Sequence, residues 1–234
     1  MATQLTTTTP IVALDFPSAE QALTLVDSLG ERCRFYKVGN ELFTAAGPEL
    51  VRELRDRDCD VFLDLKFYDI PNTVAGGVRS AAALGARLVT VHAAGGPAML
   101  RAAVTAAGPT CGVMVVTVLT SQTADELAGV WGRSDSLDVG TEVLRLAGLA
   151  AAAGAHGVVC SGKEAAAVHN QYGDRLAVLV PGIREAGGAL QDQARVMTPE
   201  GAAAAGARYI VIGRMVTGAA DRVAAMERLV RALD

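Results

Sequence analysis

Aromatic residues and clustered positive charge are both scarce in this 234-residue sequence. Only 4% of the residues are aromatic and there is a single tryptophan, whereas 51% of the residues are hydrophobic. The core must therefore be built mainly from Ala, Val, Leu and Ile, whose small side chains let helices pack close to a sheet. The net charge is −4 and no long run of Lys and Arg occurs, so the chain lacks the basic surface that nucleic acids attract. We therefore expect no nucleic-acid partner.

Long apolar runs are also absent. Each hydrophobic stretch is interrupted by a charge or a glycine well before the ~18 residues that a membrane span requires. Residues 1–9 lack both the basic region and the apolar segment of a secretory signal. The sequence therefore predicts a cytoplasmic protein without membrane contact, in which residues 1–10 form a disordered, threonine-rich tail.

The four cysteines do not form a metal-binding or redox pattern. They are far apart, no CxxC pair occurs, and no histidine lies at metal-ligand spacing from them. Cys111 and Cys160 stand in or beside apolar runs, which is typical of small buried hydrophobic residues. The sequence therefore predicts no structural metal site.

Short Val-, Ile- and Leu-rich runs alternate with longer, Ala-rich amphipathic stretches from residue 11 onwards. This rhythm is typical of β/α units around a parallel sheet whose strands are covered on both faces. The predicted strands are Ile11–Asp15, Phe35–Val38, Val61–Leu65, Leu88–His92, Gly112–Val118, Gly157–Cys160, Ala177–Val180 and Tyr209–Ile212. The predicted helices are Ala19–Leu29, Pro48–Arg57, Thr73–Leu84, Pro97–Ala107, Val139–Ala153, Lys163–Tyr172, Pro199–Ala205 and Asp221–Leu233.

Eight such units in one chain of this length fit a closed (β/α)₈ TIM barrel, which typically takes about 250 residues. No linker interrupts the rhythm, so residues 11–234 are expected to form a single catalytic domain of the α/β class. An open, doubly wound sheet is the structural alternative, because closure cannot be read from the strand pattern.

Two segments break the pattern. Residues 119–137 form an excursion after the fifth predicted strand, and residues 181–197 form a polar stretch rich in Gly, Arg, Gln and Asp after the seventh. Connections of this length are usually functional or disordered. In a barrel the second segment lies at the C-terminal face, where active sites form.

Charged residues concentrate at the C-terminal ends of the predicted strands. Within Asp64-Leu65-Lys66 the period-2 alternation of a strand puts both charged side chains on one face. Burying a lysine and an aspartate inside a barrel is costly unless they pair. Lys37 on the neighbouring strand supplies a second cation, so the sequence predicts a preorganised cluster of ammonium and carboxylate groups. A buried ion-pair network that only stabilises the barrel is the alternative.

A second signal follows the last predicted strand, where Gly213 and Arg214 precede a helix. Phosphate sites in such barrels are often built by the loops after strands seven and eight. Gly213 allows close approach of the backbone, and Arg214 offers a bidentate guanidinium. Arg184 and Gln193 lie in the preceding polar segment. Together these residues indicate a phosphorylated substrate.

The run from Asp64 to Thr73, Asp-Leu-Lys-Phe-Tyr-Asp-Ile-Pro-Asn-Thr, resembles the signature of the orotidine 5′-phosphate decarboxylase family. Further runs agree in the same order: Val12–Asp15, Lys37–Gly39, Thr117–Ser121, Val180–Arg184, Asp192–Gln193 and Val211–Arg214. The resemblance spans residues 11–217, and its first run together with the Pro-Gly-Ile-Arg segment is highly specific. The sequence departs from the commonest bacterial pattern at Tyr68, where histidine is frequent.

This resemblance implies a cofactor-free (β/α)₈ homodimer that converts orotidine 5′-monophosphate to UMP and carbon dioxide, the last step of de novo UMP synthesis. It implies that Lys66 protonates C6 of the pyrimidine and that Asp64 lies against the departing carboxylate, while Lys37 and Asp69 complete the charged cluster. The other implied roles are ribose binding by Asp15 and Lys37, base binding by Thr120 and Ser121, phosphate binding by Arg184, Gly213 and Arg214, and a bridge from base to phosphate by Gln193. Asp69, Ile70 and Thr73 are expected to reach into the partner subunit's site.

Two other functions remain open on the sequence alone. Sugar-phosphate decarboxylases and synthases of the same barrel superfamily resemble the chain in an Asp-x-Lys-x-x-Asp run and a phosphate-binding Gly-Arg, but use Mg²⁺ to stabilise an enediolate. The run from Ile70 to Thr73 and the Asp192-Gln193 pair favour the nucleotide substrate. A non-catalytic nucleotide-binding module is the third possibility, and it predicts loss of the charged cluster.

Overall fold

The computed structural model describes residues 8–133, 137–184 and 197–233, and in them eight parallel strands close into a barrel in chain order. The strands are β1 Thr9–Ala13, β2 Phe35–Gly39, β3 Asp60–Phe67, β4 Leu88–His92, β5 Gly112–Val116, β6 Gly157–Val159, β7 Ala177–Val180 and β8 Tyr209–Ile212. The last strand pairs with the first, with Thr9 opposite Tyr209 and Val12 opposite Ile212. The predicted closed barrel is thereby confirmed, and the open sheet is excluded.

Helices follow the strands along the chain. They are α1 Ala19–Leu29, α2 Asn40–Asp56, α3 Pro71–Ala83, α4 Gly96–Ala107, α5 Ala124–Val130, α6 Val139–Ala152, α7 Gly162–Tyr172, α8 Pro199–Ala204, α9 Arg214–Thr217 and α10 Arg222–Leu233. The ends of α1 are clear in the sequence because Ser18 caps its first turn and Gly30, at φ 50°, ends it.

The hydrophobic core has two parts, one inside the barrel and one between the strands and the helices. The inner part comprises Ile11, Ala13, Phe35, Phe62, Leu88, Met114, Leu179, Tyr209 and Val211. The intervening strand residues, such as Val12, Val38 and Val61, belong to the larger outer part. This alternation is the period of 2 expected for strands that are buried on both faces.

The same alternation places the polar residues of the barrel interior. Because Phe35 and Phe62 face the interior, the residues two positions further on, Lys37 and Asp64, face it as well. In the register of β2 with β3, Lys37 lies opposite Phe62 and Gly39 lies opposite Asp64. The interior therefore changes from apolar to charged at the C-terminal mouth.

Several boundaries differ from the sequence prediction. β1 begins at Thr9 rather than Ile11, and the buried Thr8 hydroxyl donates to the carbonyl oxygen of Ala207 at 2.8 Å. Residues 8–10 thus belong to the barrel and not to a tail, whereas residues 1–7 lie outside the described residues. β3 continues to Phe67, and β5 ends at Val116 rather than Val118.

Three helical segments were not predicted. The predicted helix Pro48–Arg57 is the second half of α2, which kinks at Gly47 (φ 68°) just before Pro48. In the excursion after β5, Thr123 and Glu126 form a capping box that starts α5. The short helix α9 begins directly at Arg214.

The structure shows the state of the cysteines and the character of the helices. All four cysteines are buried as thiols rather than joined in disulfide bonds, and burial is as predicted for Cys111 and Cys160. No helix in the described part of the chain is long and apolar enough to cross a membrane.

Candidate active site

A cavity of about 500 Å³ opens at the C-terminal mouth of the barrel. Eight of the residues selected from the sequence line it: Asp15, Lys37, Asp64, Lys66, Thr120, Arg184, Gly213 and Arg214. They come from different strand ends and from the loops that follow them, because the carboxyl ends of parallel strands meet at one edge of the barrel. Residues up to 199 positions apart in the chain therefore share one cavity.

Four of these residues form a row of alternating charge, Asp15–Lys37–Asp64–Lys66, here called the charged row. Lys37 Nζ lies 2.9 Å from Oδ1 of Asp15 and 3.9 Å from Oδ2 of Asp64. Lys66 Nζ lies 2.9 Å and 3.0 Å from the two carboxylate oxygens of Asp64. Each carboxylate in the row thus has at least one ammonium partner.

The centre of the charged row is withdrawn from solvent. The side chains of Lys37 and Asp64 are 12% and 13% exposed, while that of Lys66 is 34% exposed and that of Asp15 is 62% exposed. Buried charges are tolerated when they are paired, and their interactions are stronger than they are in water. Lys66 is the more exposed of the two ammonium groups and is therefore the one placed to meet a bound molecule.

Lys66 has an unusual backbone for a residue in a strand. Its φ is 52°, in the left-handed region, which costs a residue other than glycine about 1–3 kcal/mol. The pairing of β3 with β4 shifts register between Leu63 and Phe67, so Lys66 lies in a bulge. The sequence-based argument assumed a regular strand at this point. Its conclusion that Asp64 and Lys66 meet agrees with the structure, but a left-handed bulge brings them together.

Sequence reasoning missed Thr90, on β4. Its side chain is 1% exposed, accepts a hydrogen bond from the Lys66 N–H at 2.8 Å and donates one to Oδ1 of Asp64 at 3.0 Å. The available signal was a hydroxyl residue within the apolar run Leu88–Val91. A buried hydroxyl in such a run needs a hydrogen-bond partner, which in this barrel is part of the charged row.

The cavity also contains two guanidinium groups. Arg184 follows β7 and is oriented in part by a hydrogen bond from Nη1 to the carbonyl oxygen of Ile183, at 2.9 Å. Its Nε is buried, and no acceptor within the described part of the chain reaches it. A Cβ built on Gly213 would meet no described atom within 4 Å, so this backbone lies open beside Arg214. Donors arranged in this way suit an oxyanion such as a phosphate.

The model of the Orotidine 5'-phosphate decarboxylase / HUMPS family matches residues 8–229 of the chain. The chain belongs to this family. It is 52% identical over 229 residues to the orotidine 5'-phosphate decarboxylase of Alkalilimnicola ehrlichii, covering 95% of each chain. The corresponding protein of Halorhodospira halophila is 50% identical over 218 residues, which cover 92% of this chain and 91% of that protein.

Solved structures agree with this membership of the family. The crystal structure of orotidine 5'-phosphate decarboxylase from Lactobacillus acidophilus superposes with a TM-score of 0.85 at 36% sequence identity. The superposition covers 97% of this chain and 99% of that chain. The similarity therefore extends over the whole barrel.

Four of the site residues that the family resemblance indicated are described but do not line the cavity. Asp69, Ile70, Thr73 and Ser121 are exposed and lie outside the cavity lining, and Gln193 lies outside the described residues. Asp69 accepts a hydrogen bond from the Ile70 N–H at 2.6 Å instead of joining the charged row. Within a single chain, the fourth member of the charged row is therefore Asp15 and not Asp69.

His92, at the end of β4, lies close to the charged row. Burial lowers the pKa of its imidazole, and the Lys66 ammonium lowers this pKa further, while Asp64 partly opposes the change. Its ring lies 6.0 Å from the ring of Tyr68. Burial and the Lys66 ammonium both favour the neutral imidazole of His92 beside the charged row.

Proposed function

We propose that the protein is a carboxy-lyase that converts orotidine 5′-monophosphate to UMP and carbon dioxide. The observation that carries this proposal is the Lys66 ammonium held against Asp64 in a cavity that also contains Arg184 and Arg214. In this combination Lys66 is the proton donor, and Arg184 and Arg214 are the groups that bind phosphate. The names of the relatives, similar over nearly the whole chain, support the same reaction.

The reaction requires stabilisation of a carbanion. When the bond between C6 and the carboxylate carbon breaks, carbon dioxide leaves and the electron pair remains on C6, where the pyrimidine ring delocalises it poorly. A fixed ammonium beside C6 stabilises this charge as it develops in the transition state. Lys66 then donates a proton to C6, which gives UMP and a neutral amine that recovers its proton from solvent.

The other residues of the site bind and orient the nucleotide. Asp64 lies against the departing carboxylate and keeps the Lys66 ammonium in place. The remaining roles, which follow the family resemblance, are ribose binding by Asp15 and Lys37, base binding by Thr120 and Ser121, phosphate binding by Arg184, Gly213 and Arg214, and a bridge from base to phosphate by Gln193. Binding energy from the remote phosphate helps to order the site around the reacting carbon.

We propose that the reaction needs no metal ion and no organic cofactor. The carboxylates of Asp15 and Asp64 are already paired with Lys37 and Lys66. A divalent cation bound to them would face two ammonium groups within the same row, which disfavours an Mg²⁺ site. This arrangement argues against the Mg²⁺-dependent sugar-phosphate reaction. It also argues against a module that only binds nucleotide, because such a module does not require the charged row.

We also propose that the active protein is a homodimer with sites shared between its subunits. Ile70 and Tyr68 are 67% and 63% exposed, which is unusual for large apolar side chains and suits a surface covered by a second copy. Asp69, Ile70 and Thr73 are exposed on the same segment and would then complete the partner's cavity.

A cytoplasmic location and the absence of a nucleic-acid partner stay predictions from the sequence.

A metal-free assay tests the reaction. Purified protein is incubated with orotidine 5′-monophosphate in excess EDTA, while the loss of substrate absorbance is followed and UMP is identified by chromatography. We expect complete conversion that added Mg²⁺ does not accelerate. Folded, dimeric protein that converts no substrate contradicts the proposal, and sugar phosphates with Mg²⁺ are then the next substrates to test.

A further inference from the structure

Thr90 lies at the break in the pairing of β3 with β4. Leu63 pairs with Val89 and Phe67 pairs with Val91, so β3 advances four residues while β4 advances two. A bulge of this kind leaves backbone groups without a ladder partner. The Lys66 N–H lies inside the bulge and donates to Oγ1 of Thr90 at 2.8 Å. A side-chain hydroxyl therefore takes the place of a backbone carbonyl as its acceptor.

The same hydroxyl donates to the carboxylate that the Lys66 side chain contacts. Thr90 Oγ1 lies 3.0 Å from Oδ1 of Asp64, and this oxygen lies 2.9 Å from Lys66 Nζ. A backbone amide can only donate and an ionised carboxylate can only accept, so the direction of both hydrogen bonds of the hydroxyl is fixed. Three hydrogen bonds thus close a ring through the backbone of Lys66, Thr90, Asp64 and the Lys66 ammonium.

Thr90 is suited to hold this ring and is not placed to touch a substrate. It is 1% exposed and is not among the residues that line the cavity. Its β-branched side chain restricts rotation about χ1 and so fixes the position of Oγ1. A rigid hydroxyl can therefore stabilise the left-handed backbone of Lys66, whose φ is 52°.

We propose that Thr90 is a positioning residue that holds the Lys66 ammonium in the place from which it stabilises and protonates the reacting carbon. The inference rests on the proposed decarboxylase function. It predicts that loss of the hydroxyl affects the chemical step much more than nucleotide binding, because the hydrogen bonds of Thr90 join Asp64 and Lys66, the two residues expected at the reacting carbon.

The first test compares Thr90→Val, which keeps the shape, with Thr90→Ser, which keeps the hydroxyl. We expect kcat of Thr90→Val to fall about 100-fold, as for a misplacement of about 1 Å, with KM and the Kd for UMP changed by less than about threefold. Thr90→Ser should keep most of the activity. Thr8→Val is the matched control, because it removes another buried threonine hydroxyl bond, to Ala207, away from the cavity, and it should leave kcat unchanged.

A second pair keeps the test valid if Thr90→Val does not fold. Thr90→Ser and Thr90→Ala lack the same methyl group and differ only in the hydroxyl, so a much lower kcat for Thr90→Ala assigns the effect to the hydroxyl. Equal losses in these two variants overturn the proposal. A Thr90→Val variant that folds and keeps kcat within about threefold of the unmodified protein also overturns it.

Hydrogen exchange at the Lys66 amide separates this proposal from the proposed function. We expect this amide to be protected in the unmodified protein and in Thr90→Ser, and to exchange much faster in Thr90→Ala. If the unmodified protein does not convert orotidine 5′-monophosphate, the proposed function fails and the exchange rates alone decide whether Thr90 holds Lys66. Equal exchange in all three proteins shows that it does not.

Discussion

Lys37 occupies the space that a side chain on Gly39 would need: a Cβ built on Gly39 lies 2.9 Å from Lys37 Nζ. Gly39 ends β2 and lies opposite Asp64 in the pairing with β3. The missing side chain lets the Lys37 ammonium lie between Asp15 and Asp64. Gly39 is therefore needed for space and not for backbone freedom, since its φ of −96° is available to any residue.

Gly39→Ala should therefore impair catalysis with little loss of stability. The new methyl group pushes away the end of a flexible side chain, so Lys37 moves from Asp15 and the charged row is disturbed. We expect kcat/KM for orotidine 5′-monophosphate to fall about tenfold or more, because geometry at the reacting centre is lost. Steady-state kinetics and thermal unfolding of the same preparation measure both effects.

Gly129→Ala is the control for this substitution. Gly129 lies in α5, and a Cβ built there meets no described atom within 4 Å. Alanine should be neutral or stabilise this helix by up to about 1 kcal/mol. Normal kcat/KM for Gly39→Ala would contradict the view that Lys37 needs this space.

The strands and helices of the barrel could be predicted from the sequence because they depend on local patterns. Apolar runs and caps are local signals, and helix α1 was predicted with its observed bounds, Ala19–Leu29. Lys37 and Asp64 were placed correctly because period-2 alternation extends from the apolar interior to the mouth. Closure itself depends on the pairing of β1 with β8, which no local pattern specifies.

The rest of the site depends on contacts between distant residues. The left-handed backbone of Lys66 carries no local signal, because a glycine or asparagine usually marks that conformation. Its N–H donates a hydrogen bond to Thr90, which lies 24 residues away in the chain. Asp69, which lies between this bulge and the start of α3, is exposed, and no local pattern in the sequence indicates this. The sequence therefore predicted which residues form the site, but not the backbone conformation of Lys66 or the position of Asp69.

Lys66→Ala should abolish almost all turnover while leaving a folded protein that binds nucleotide. The substitution removes both the cation beside C6 and the proton donor, so we expect kcat to fall by at least about 10⁴-fold. UMP affinity, measured by calorimetry, should change much less because the phosphate site is intact. Lys163→Ala, at an exposed position in α7, is the control. Substantial turnover by Lys66→Ala would refute the role of Lys66.

Arg214→Ala should weaken binding of nucleotides but not of nucleosides. Loss of a charge-assisted hydrogen bond to phosphate costs about 1.5–3 kcal/mol, which raises the Kd for UMP by roughly 10- to 150-fold. Uridine lacks the phosphate, so its affinity should stay the same. Arg208→Ala is the matched control, since Arg208 is exposed and lines a different cavity. Equal affinity of Arg214→Ala and the unmodified protein for UMP would exclude Arg214 from the phosphate site.

His156 should make the protein less stable in acid. Burial lowers the pKa of its imidazole, and the charges of Arg208 and Arg87 lower this pKa further. The unfolded chain, with an ordinary histidine pKa of about 6.5, takes up a proton more readily than the folded chain. The free energy of unfolding therefore falls as pH decreases below about 6.5. His156→Asn should make this fall smaller in urea unfolding at pH 7 and pH 5.

Tyr209→Phe is the control for the acid effect. Tyr209 Oη lies 3.1 Å from Nε2 of His156, so both substitutions remove the same hydrogen bond. Only His156→Asn also removes the titrating group, and only that variant should therefore show a weaker pH dependence. The same dependence in all three proteins would mean that His156 does not contribute to acid sensitivity.

Mixing two inactive variants tests whether sites are shared between subunits. Asp69→Ala supplies an intact Lys66, and Lys66→Ala supplies an intact Asp69, so each mixed dimer contains one complete site if Asp69 acts in the partner's cavity. Random exchange makes half of the dimers mixed, and we therefore expect about a quarter of the unmodified activity. Asp64→Ala mixed with Lys66→Ala is the control, because both residues line the cavity of the same chain and their sites cannot be completed by exchange in this way. Mass spectrometry of differently tagged subunits measures the exchange. No recovery in the first mixture, despite exchange, would contradict shared sites and place the function of Asp69 within its own subunit.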